Sequence, residues 1–226
     1  MYLTKATMRQ SVQAAKEFLS IQSNGPYASH QLIWTLFEST QEDRSFLFRE
    51  ETTASGQAEF YILSDSKPLQ DSPILAVQSK PFSPYLEAGM RLAFRLRVNP
   101  TVTTKNEDGK QKRHDVMMHA KHIAKESGEQ DPQAIKDAME CAAKRWICHA
   151  ERLHGWGISL DVEPEVENYT QHRSKKGNSQ AIRFSSVDYQ GLLTVQDPER
   201  FLNQLSRGFG HAKGFGCGLM LIKKVG

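Results

Sequence analysis

The chain has 226 residues, of which 38% are hydrophobic and 24% are charged. This composition supports a packed core and excludes a wholly disordered chain, and no run approaches the roughly 20 apolar residues that span a bilayer. The length fits two small domains, since one domain usually holds about 100–150 residues. The start of the sequence has no apolar secretory stretch and the three cysteines form no disulfide framework, so we expect a cytoplasmic protein without membrane partners.

Basic and acidic residues are unevenly distributed, although the net charge is only +3. Residues 126–170 carry four basic and ten acidic residues, whereas residues 171–226 carry nine basic and three acidic ones. A segregated positive segment suits a polyanion such as nucleic acid. Mild segregation also arises by chance, so the distribution alone does not distinguish a nucleic-acid-binding protein from other proteins.

The first 100 residues alternate between strand and helix patterns. Met1–Met8 predicts a strand, and the apolar positions between Tyr27 and Phe37 recur on one helical face. Four more strands are predicted at Phe46–Arg49, Glu59–Leu63, Ile74–Gln78 and Arg91–Val98. This order predicts a small α+β domain over residues 1–100, with helices on one face of its sheet.

The second domain is predicted over residues 101–226. A polar connection at 101–115 precedes a long helix at Pro132–Leu153, with Asp131 as N-cap and glycines at its end. Strands are predicted at Ile158–Val166, Ala181–Val187, Gly191–Val195 and Leu219–Lys223, and a helix at Pro198–Ser206. This half therefore also reads as α+β with an antiparallel sheet.

In the predicted strand at 91–98, the even-numbered positions are all large apolar residues and the odd-numbered positions hold the arginines. Arg91, Arg95 and Arg97 share one face, because side chains alternate along a strand. Three guanidinium groups on one face repel unless acids or an external anion compensate them. Two interpretations stay open: a solvated or salt-bridged face, and a platform that binds phosphates through guanidinium forks.

Two further segments suggest anion binding. Residues 171–180 contain Arg173, Lys175 and Lys176 and predict a basic hairpin tip, which is either an RNA-binding finger or a solubilising loop. Residues 208–218 hold five glycines but match neither a dinucleotide fingerprint nor a P-loop, because a helix precedes the loop and a strand follows it. Exposed backbone N–H groups and Lys213 suit phosphate, and tight packing at a helix-to-strand crossing is the other interpretation.

Histidine is the side chain best suited to proton transfer near pH 7. His114, His119 and His122 lack the companion ligands of a zinc motif, so we predict no metal site and no cofactor. His30 follows a turn and lies three residues after Tyr27, so both side chains are expected to face one cleft. By pattern alone, His30 is more often a capping or surface residue than a catalytic one.

Together these segments resemble the CasE family, the RNA-cleaving subunit of the type I-E CRISPR Cascade complex. Four motifs carry the resemblance: the strand Met1-Tyr2-Leu3, the helix Tyr27-x-x-His30-x-x-x-Trp34-x-Leu36-Phe37, the strand Phe94-Arg95-Leu96-Arg97-Val98-Asn99-Pro100, and the loop Gly208-x-Gly210-x-x-Lys213-x-x-Gly216-x-Gly218-Leu219. Residues 105–135 are longer than is usual for the family.

The resemblance implies two tandem ferredoxin-like domains that bind a CRISPR repeat hairpin and cleave it at its 3′ base without metal. It implies catalysis by His30, with Tyr27 orienting the reacting groups and a basic residue stabilising the transition state. RNA binding then falls to Arg95, Arg97, Arg173, Lys175, Lys176, Gly208, Gly210, Lys213 and Gly216. The other Cascade subunits are the implied protein partners, and a non-catalytic RNA-binding scaffold subunit is the alternative function.

Overall fold

The structure is a computed structural model that describes residues 1–12, 14–16, 19, 26–38, 45–105, 109–174 and 182–225, without the side chains of Pro26, Tyr27 and Ser174. The chain forms two compact units whose segments interleave along the sequence. Unit 1 comprises Met1–Tyr85, His172–Arg183 and Leu205–Leu219, and unit 2 comprises Leu86–Gln171, Phe184–Gln204 and Met220–Gly226. None of the described helices has the length and apolar character needed to cross a membrane.

Unit 1 contains a four-stranded antiparallel sheet and the helix α1. The elements are β1 (Tyr2–Met8), α1 (Pro26–Trp34), β2 (Phe46–Thr52), β3 (Ala58–Ser64) and β4 (Leu75–Pro81). The strand order is β2-β3-β1-β4, and β1 pairs antiparallel with both β3 and β4. Its core is apolar: Leu32, Ile33 and Leu36 pack with the aromatic side chains of β2 and β3.

The remaining elements include the five strands of a second antiparallel sheet. They are β5 (Arg91–Val98), β6 (Thr101–Lys105), β7 (Gln111–Asp115), α2 (Val116–Glu126), α3 (Pro132–Ile147), α4 (Ala150–Trp156), β8 (Ile158–Leu160), β9 (Glu165–Ser174), β10 (Ile182–Val195), α5 (Pro198–Arg207), a 3-10 turn (Lys213–Phe215) and β11 (Met220–Lys224). The order is β11-β5-β10-β8, with β9 also pairing with β10, while β6 and β7 form a separate hairpin.

Both sheets share one topology. In unit 1, β1 lies between β3 and β4; in the second sheet, β5 lies between β10 and β11. In both, helical segments separate the first strand of the sheet from the second. This is the ferredoxin-like arrangement, except that residues 65–74 form no second helix in unit 1. The expected fold class, α+β with two ferredoxin-like domains and antiparallel sheets, is confirmed.

The core of unit 2 lies on one face of its sheet. Leu92, Phe94 and Leu96 alternate inward along β5, as their spacing predicts. Tyr189, fully buried on β10, donates its hydroxyl proton to the carbonyl oxygen of Ala143 over 2.8 Å, and burial raises the pKa of this phenol. The C-terminal half of α3 is therefore fixed to the sheet.

Two sequence predictions for the second half are wrong in detail. The predicted single helix at Pro132–Leu153 breaks at Cys148 and His149 into α3 and α4, although Asp131 caps α3 as expected. The polar connection at 101–115 is the β6–β7 hairpin, and α2 follows it directly. Local spacing did not indicate these elements because their residues are mostly polar and exposed.

A glycine explains a third difference. The two predicted strands at 181–187 and 191–195 are one continuous strand, β10, with Gly191 in its interior. A Cβ atom at Gly191 would lie only 3.2 Å from Cε1 of Phe94 on β5. The glycine thus makes room for an aromatic ring and does not end the strand.

The predicted division into domains at 1–100 and 101–226 stays a prediction. Within unit 2, β5 pairs with β10 along its whole length and with β11 along most of it. The residues around 91–98 therefore complete the second sheet.

Candidate functional site

His30 lies in the middle of α1 and is surrounded on several sides by aromatic rings. Its ring centroid is 5.5 Å from that of Trp34, 5.7 Å from Phe46 and 6.4 Å from Phe48. Trp34 follows His30 by one helical turn, and the two phenylalanines alternate on one face of β2. The imidazole is half-buried, so it is held in place and still reaches solvent.

Hydrogen bonding beside His30 anchors the helix to the sheet of unit 1. The hydroxyl of the neighbouring residue, Ser29, donates a hydrogen bond to Oε2 of Glu50 on β2. Ser29 is buried. This bond and the apolar face of α1 fix the position of the histidine relative to β2.

Tyr27 lies one helical turn before His30 in α1. Its side chain is outside the part of the chain that the structure describes. The expected convergence of Tyr27 and His30 on one cleft therefore stays a prediction.

The glycine-rich loop, residues 208–218, belongs to unit 1 and adopts left-handed backbone conformations at several positions. The φ angles are +74° at Gly208, +65° at Gly210, +82° at Gly216 and +92° at Gly218. The N–H of Phe209 donates to the carbonyl oxygen of Gly218 over 2.9 Å and closes the loop. Glycine accepts these angles without steric cost, which explains the composition of the loop.

The same loop packs tightly against β2. A Cβ atom at Gly208 would lie 2.7 Å from both methyl carbons of Leu47, and one at Gly216 would lie 3.3 Å from Cε2 of Phe48. The packing interpretation of these glycines is therefore confirmed. Because Phe48 also contacts His30, the loop and the histidine share one aromatic neighbour.

Lys213, the lysine of the glycine-rich loop, lies in the 3-10 turn. Its Nζ donates a hydrogen bond to the carbonyl oxygen of Arg207 over 2.6 Å, at the C-terminal end of α5. This bond offsets one of the helix's unpaired carbonyl groups. The turn that carries Lys213 also contacts α1, the helix of His30.

The arginines of β5 lie in unit 2, and each one is paired with a carboxylate. Arg97 donates two hydrogen bonds, of 2.9 Å and 3.0 Å, to the two carboxylate oxygens of Asp188, which is 5% exposed. Arg95 donates one bond of 3.2 Å to Glu167, and half of its side chain stays exposed. The salt-bridged interpretation of this face is confirmed, and Arg95 keeps more donors than Arg97 for an external anion.

Arg91 completes the row of paired arginines. Its Nε lies 2.6 Å from Oδ2 of Asp161, and the hydroxyl of Thr194 also donates to this carboxylate. Both donors, the hydroxyl first, lower the pKa of Asp161. The positive charge predicted for this sheet face is thus largely compensated.

The basic segment 171–180 is only partly described. Arg173 is exposed on β9 and belongs to unit 1, and β9 pairs with β10 as a hairpin requires. Lys175 and Lys176 lie outside the described residues. Of this predicted site, the structure therefore places Arg173 alone.

The histidines of β7 and α2 make contacts other than metal coordination. The rings of His114 and His119 stack with centroids 5.3 Å apart, and His122 lies 3.3 Å from Glu126. Among the residues that the structure describes, no group of three or more histidine, cysteine, aspartate or glutamate side chains is arranged to hold a metal ion.

Sequence reasoning missed two features of the site. Phe46 and Phe48 were predicted only as part of a strand, without any relation to His30, although their spacing indicates one shared face. The carboxylates that pair with the β5 arginines come from β9, β10 and the turn after β8, at least 70 residues away in the sequence. Such long-range pairs leave no local pattern.

Comparison with known proteins adds a match along nearly the whole chain. A family model described as "CRISPR associated protein" matches residues 1–224. Among curated proteins, the chain is 29% identical to the CRISPR system Cascade subunit CasE of Escherichia coli (strain K12), over 87% of this chain and 90% of that protein. It is also 29% identical to the CRISPR-associated endoribonuclease Cse3 of Thermus thermophilus, over 98% of this chain and 99% of that protein.

Solved structures share the fold. The structure of Thermus thermophilus Cse3 bound to an RNA representing a pre-cleavage complex has a TM-score of 0.66 and 25% sequence identity. The match covers 98% of each chain. The sheets and helices described above therefore occur together in an RNA-bound protein.

Proposed function

Since the chain belongs to the family of CRISPR-associated proteins, we propose that it is the endoribonuclease that cleaves CRISPR repeat RNA and remains as a subunit of a Cascade complex. Full-length similarity to relatives named for the Cascade subunit CasE and for the endoribonuclease Cse3 supports this function. The observation that carries it is the position of His30. This half-buried imidazole shares an aromatic neighbour with a glycine-rich loop, in the unit that also contains Arg173.

The proposed reaction is an RNA transphosphorylation. The ribose 2′-oxygen attacks the adjacent phosphorus, the bond from phosphorus to the 5′-oxygen breaks, and the products are a 2′,3′-cyclic phosphate and a free 5′-hydroxyl. One proton leaves the 2′-hydroxyl and one is delivered to the 5′-oxygen. His30 performs one of these transfers, which is the kind of work that a positioned imidazole does near neutral pH.

The remaining roles fall to groups that bind and orient the phosphate. Tyr27 orients the phosphate or the attacking hydroxyl, and a cation among Arg173, Lys175 and Lys176 stabilises the charge of the pentacoordinate phosphorus. No step of this scheme assigns a role to a metal ion.

RNA anchoring is the second part of the proposal. The loop glycines Gly208, Gly210 and Gly216 bring backbone N–H groups close to the RNA, and Lys213 adds positive charge. On β5, the half-exposed Arg95 contacts a phosphate, whereas Arg97 contributes mainly by holding the strand through Asp188. The RNA is a repeat hairpin cut at its 3′ base, and the reaction takes place in the cytoplasm.

Cleavage of a labelled repeat hairpin in excess EDTA tests the function. We expect a product that ends in a 2′,3′-cyclic phosphate, and no cleavage when the nucleotide at the cut carries a 2′-deoxyribose. A shift of the intact hairpin without any product would instead identify the chain as a non-catalytic scaffold subunit. Cleavage that occurs without EDTA but is lost in its presence would overturn the proposed scheme.

A further inference from the structure

The helical hairpin formed by α2 and α3 extends beyond the core of unit 2. At its base, Val116, Met117, Ala143 and Ile147 are buried. All residues from 118 to 142 are described, and none of them is buried. Because helix pairs normally bury one face of each helix against a core, this distal part has surface available for a partner.

A groove of about 690 Å³ lies between the distal halves of the two helices. The apolar residues that line it come from α3 and are Pro132, Ile135 and Met139. Lysines contribute the positive charge: Lys121 and Lys125 come from α2, and Lys136 comes from α3. An apolar centre with a charged edge is the usual arrangement of a protein-binding surface.

The residues that line this groove include three lysines and one glutamate. Among the described residues, Lys121, Lys125 and Lys136 have no ion pair with a carboxylate. The one acidic residue of the groove, Glu129, accepts hydrogen bonds from the backbone N–H groups of Gln130 and Asp131. The groove therefore presents a positive edge to an external partner.

We propose that this groove binds an acidic, aliphatic segment of another protein subunit of the Cascade complex. Charge complementarity favours carboxylates opposite the three lysines, and Ile135 with Met139 suits an aliphatic anchor between them. RNA is the less suitable occupant, because none of the described residues lining the groove is aromatic or an arginine. The groove therefore offers no ring on which a base could stack and no guanidinium for a two-bond contact with a phosphate. The inference rests on the proposed function, since it takes the partner from the same complex.

The test titrates this protein into a complex of the other Cascade subunits and CRISPR RNA, expressed together without it. The variant is Lys121→Gln/Lys125→Gln/Lys136→Gln, which removes charge while keeping helix propensity. The matched control is Lys16→Gln/Lys67→Gln/Lys80→Gln, at three exposed lysines of unit 1. We expect the groove variant to associate about tenfold more weakly at low salt, with the control within about twofold of wild type.

Two more measurements separate protein from RNA as the occupant. Affinity for the free repeat hairpin, and its cleavage, should stay within about twofold of wild type in the groove variant. A photo-crosslinking residue introduced as Gln130→p-benzoylphenylalanine should crosslink to a protein subunit. Unchanged association of the groove variant overturns the inference, and so does an equal loss of affinity for the free hairpin or a crosslink to RNA alone.

Failure of the proposed function gives a different pattern. If wild-type protein does not cleave the hairpin but associates through the three lysines, the groove inference stands for a scaffold subunit. If wild-type protein cleaves the hairpin and the groove variant associates with the complex as tightly as wild type, the groove inference alone is wrong.

Discussion

The ring of Phe48 lies against the imidazole of His30, with the two centroids 6.4 Å apart. The same ring also lies close to Gly216 of the glycine-rich loop, where a Cβ atom would be 3.3 Å from its Cε2. A change in the glycine-rich loop therefore reaches the proposed catalytic histidine through one aromatic side chain. The loop can affect the rate of cleavage without touching the RNA.

The substitution Gly216→Ala tests this contact. The new methyl group presses on Phe48 and the residue keeps a φ of +82°, so we expect about 1–2 kcal/mol of strain and a several-fold slower cleavage under single-turnover conditions. The matched control is Gly56→Ala, whose φ is +78° but whose Cβ would have no atom within 4 Å. Equal slowing in the two variants would show that backbone strain acts alone and that the Phe48 contact is irrelevant.

His30→Ala tests the histidine itself. Removing a general acid or base typically costs about 10²–10⁴-fold in rate, and the half-buried ring contributes little to RNA contact area. We therefore expect single-turnover cleavage to fall by this range, while a filter-binding assay gives a repeat affinity within a few-fold of wild type. Cleavage at the wild-type rate would remove His30 from the mechanism.

Arg95 and Arg97 should respond differently to the same substitution. Arg97→Gln leaves the 5% exposed Asp188 without its two charged hydrogen bonds, so we expect a loss of about 3 kcal/mol in the free energy of unfolding. Arg95→Gln removes one partly exposed bond and should cost less than about 1 kcal/mol.

RNA binding should reverse this order. We expect Arg95→Gln to weaken binding of the hairpin and to reduce the slope of log affinity against log salt by about one phosphate contact. Denaturant unfolding and a salt titration check both arginines, and an unchanged salt slope in Arg95→Gln would remove this side chain from the interface.

Acid should destabilise the protein partly through Asp161. The folded state lowers the pKa of this carboxyl, chiefly through Thr194 and then through Arg91, so its contribution is complete above the unfolded pKa of about 3.9 and is lost as the pH falls below it. We expect Asp161→Asn to be slightly less stable than wild type at pH 7 and to lose less stability between about pH 4 and pH 2. Parallel curves of unfolding free energy against pH for the two proteins would contradict this linkage.

The strands of the first half could be predicted from sequence because their faces differ. In β5, Leu92, Phe94 and Leu96 point inward and the arginines outward, and the predicted bounds of this strand agree with the structure. The capped ends of α3 and α5 were also predictable, since Asp131 and Asp197 accept the expected backbone hydrogen bonds. These features depend on local periodicity and short-range contacts.

The parts that could not be predicted depend on residues distant in the chain. The break between α3 and α4 at Cys148 carries no proline or glycine, and Gly191 suggests a strand end unless the opposing Phe94 is known. The carboxylate partners of the arginines are equally distant. Within the site, the sequence motif predicted the role of His30. The contact of His30 with Phe48 follows only from the packing of α1 against β2.

Residues 205–224 complete both halves of the molecule. The glycine-rich loop packs on Leu47 and Phe48 in unit 1, and β11 then pairs with β5 in unit 2. These residues emerge from the ribosome after all the other described elements. During translation, β5 therefore has one unpaired edge, and the side of Phe48 that faces Gly216 is exposed. Nascent chains should therefore need shielding from aggregation, and the nuclease can become active only after synthesis has passed this segment.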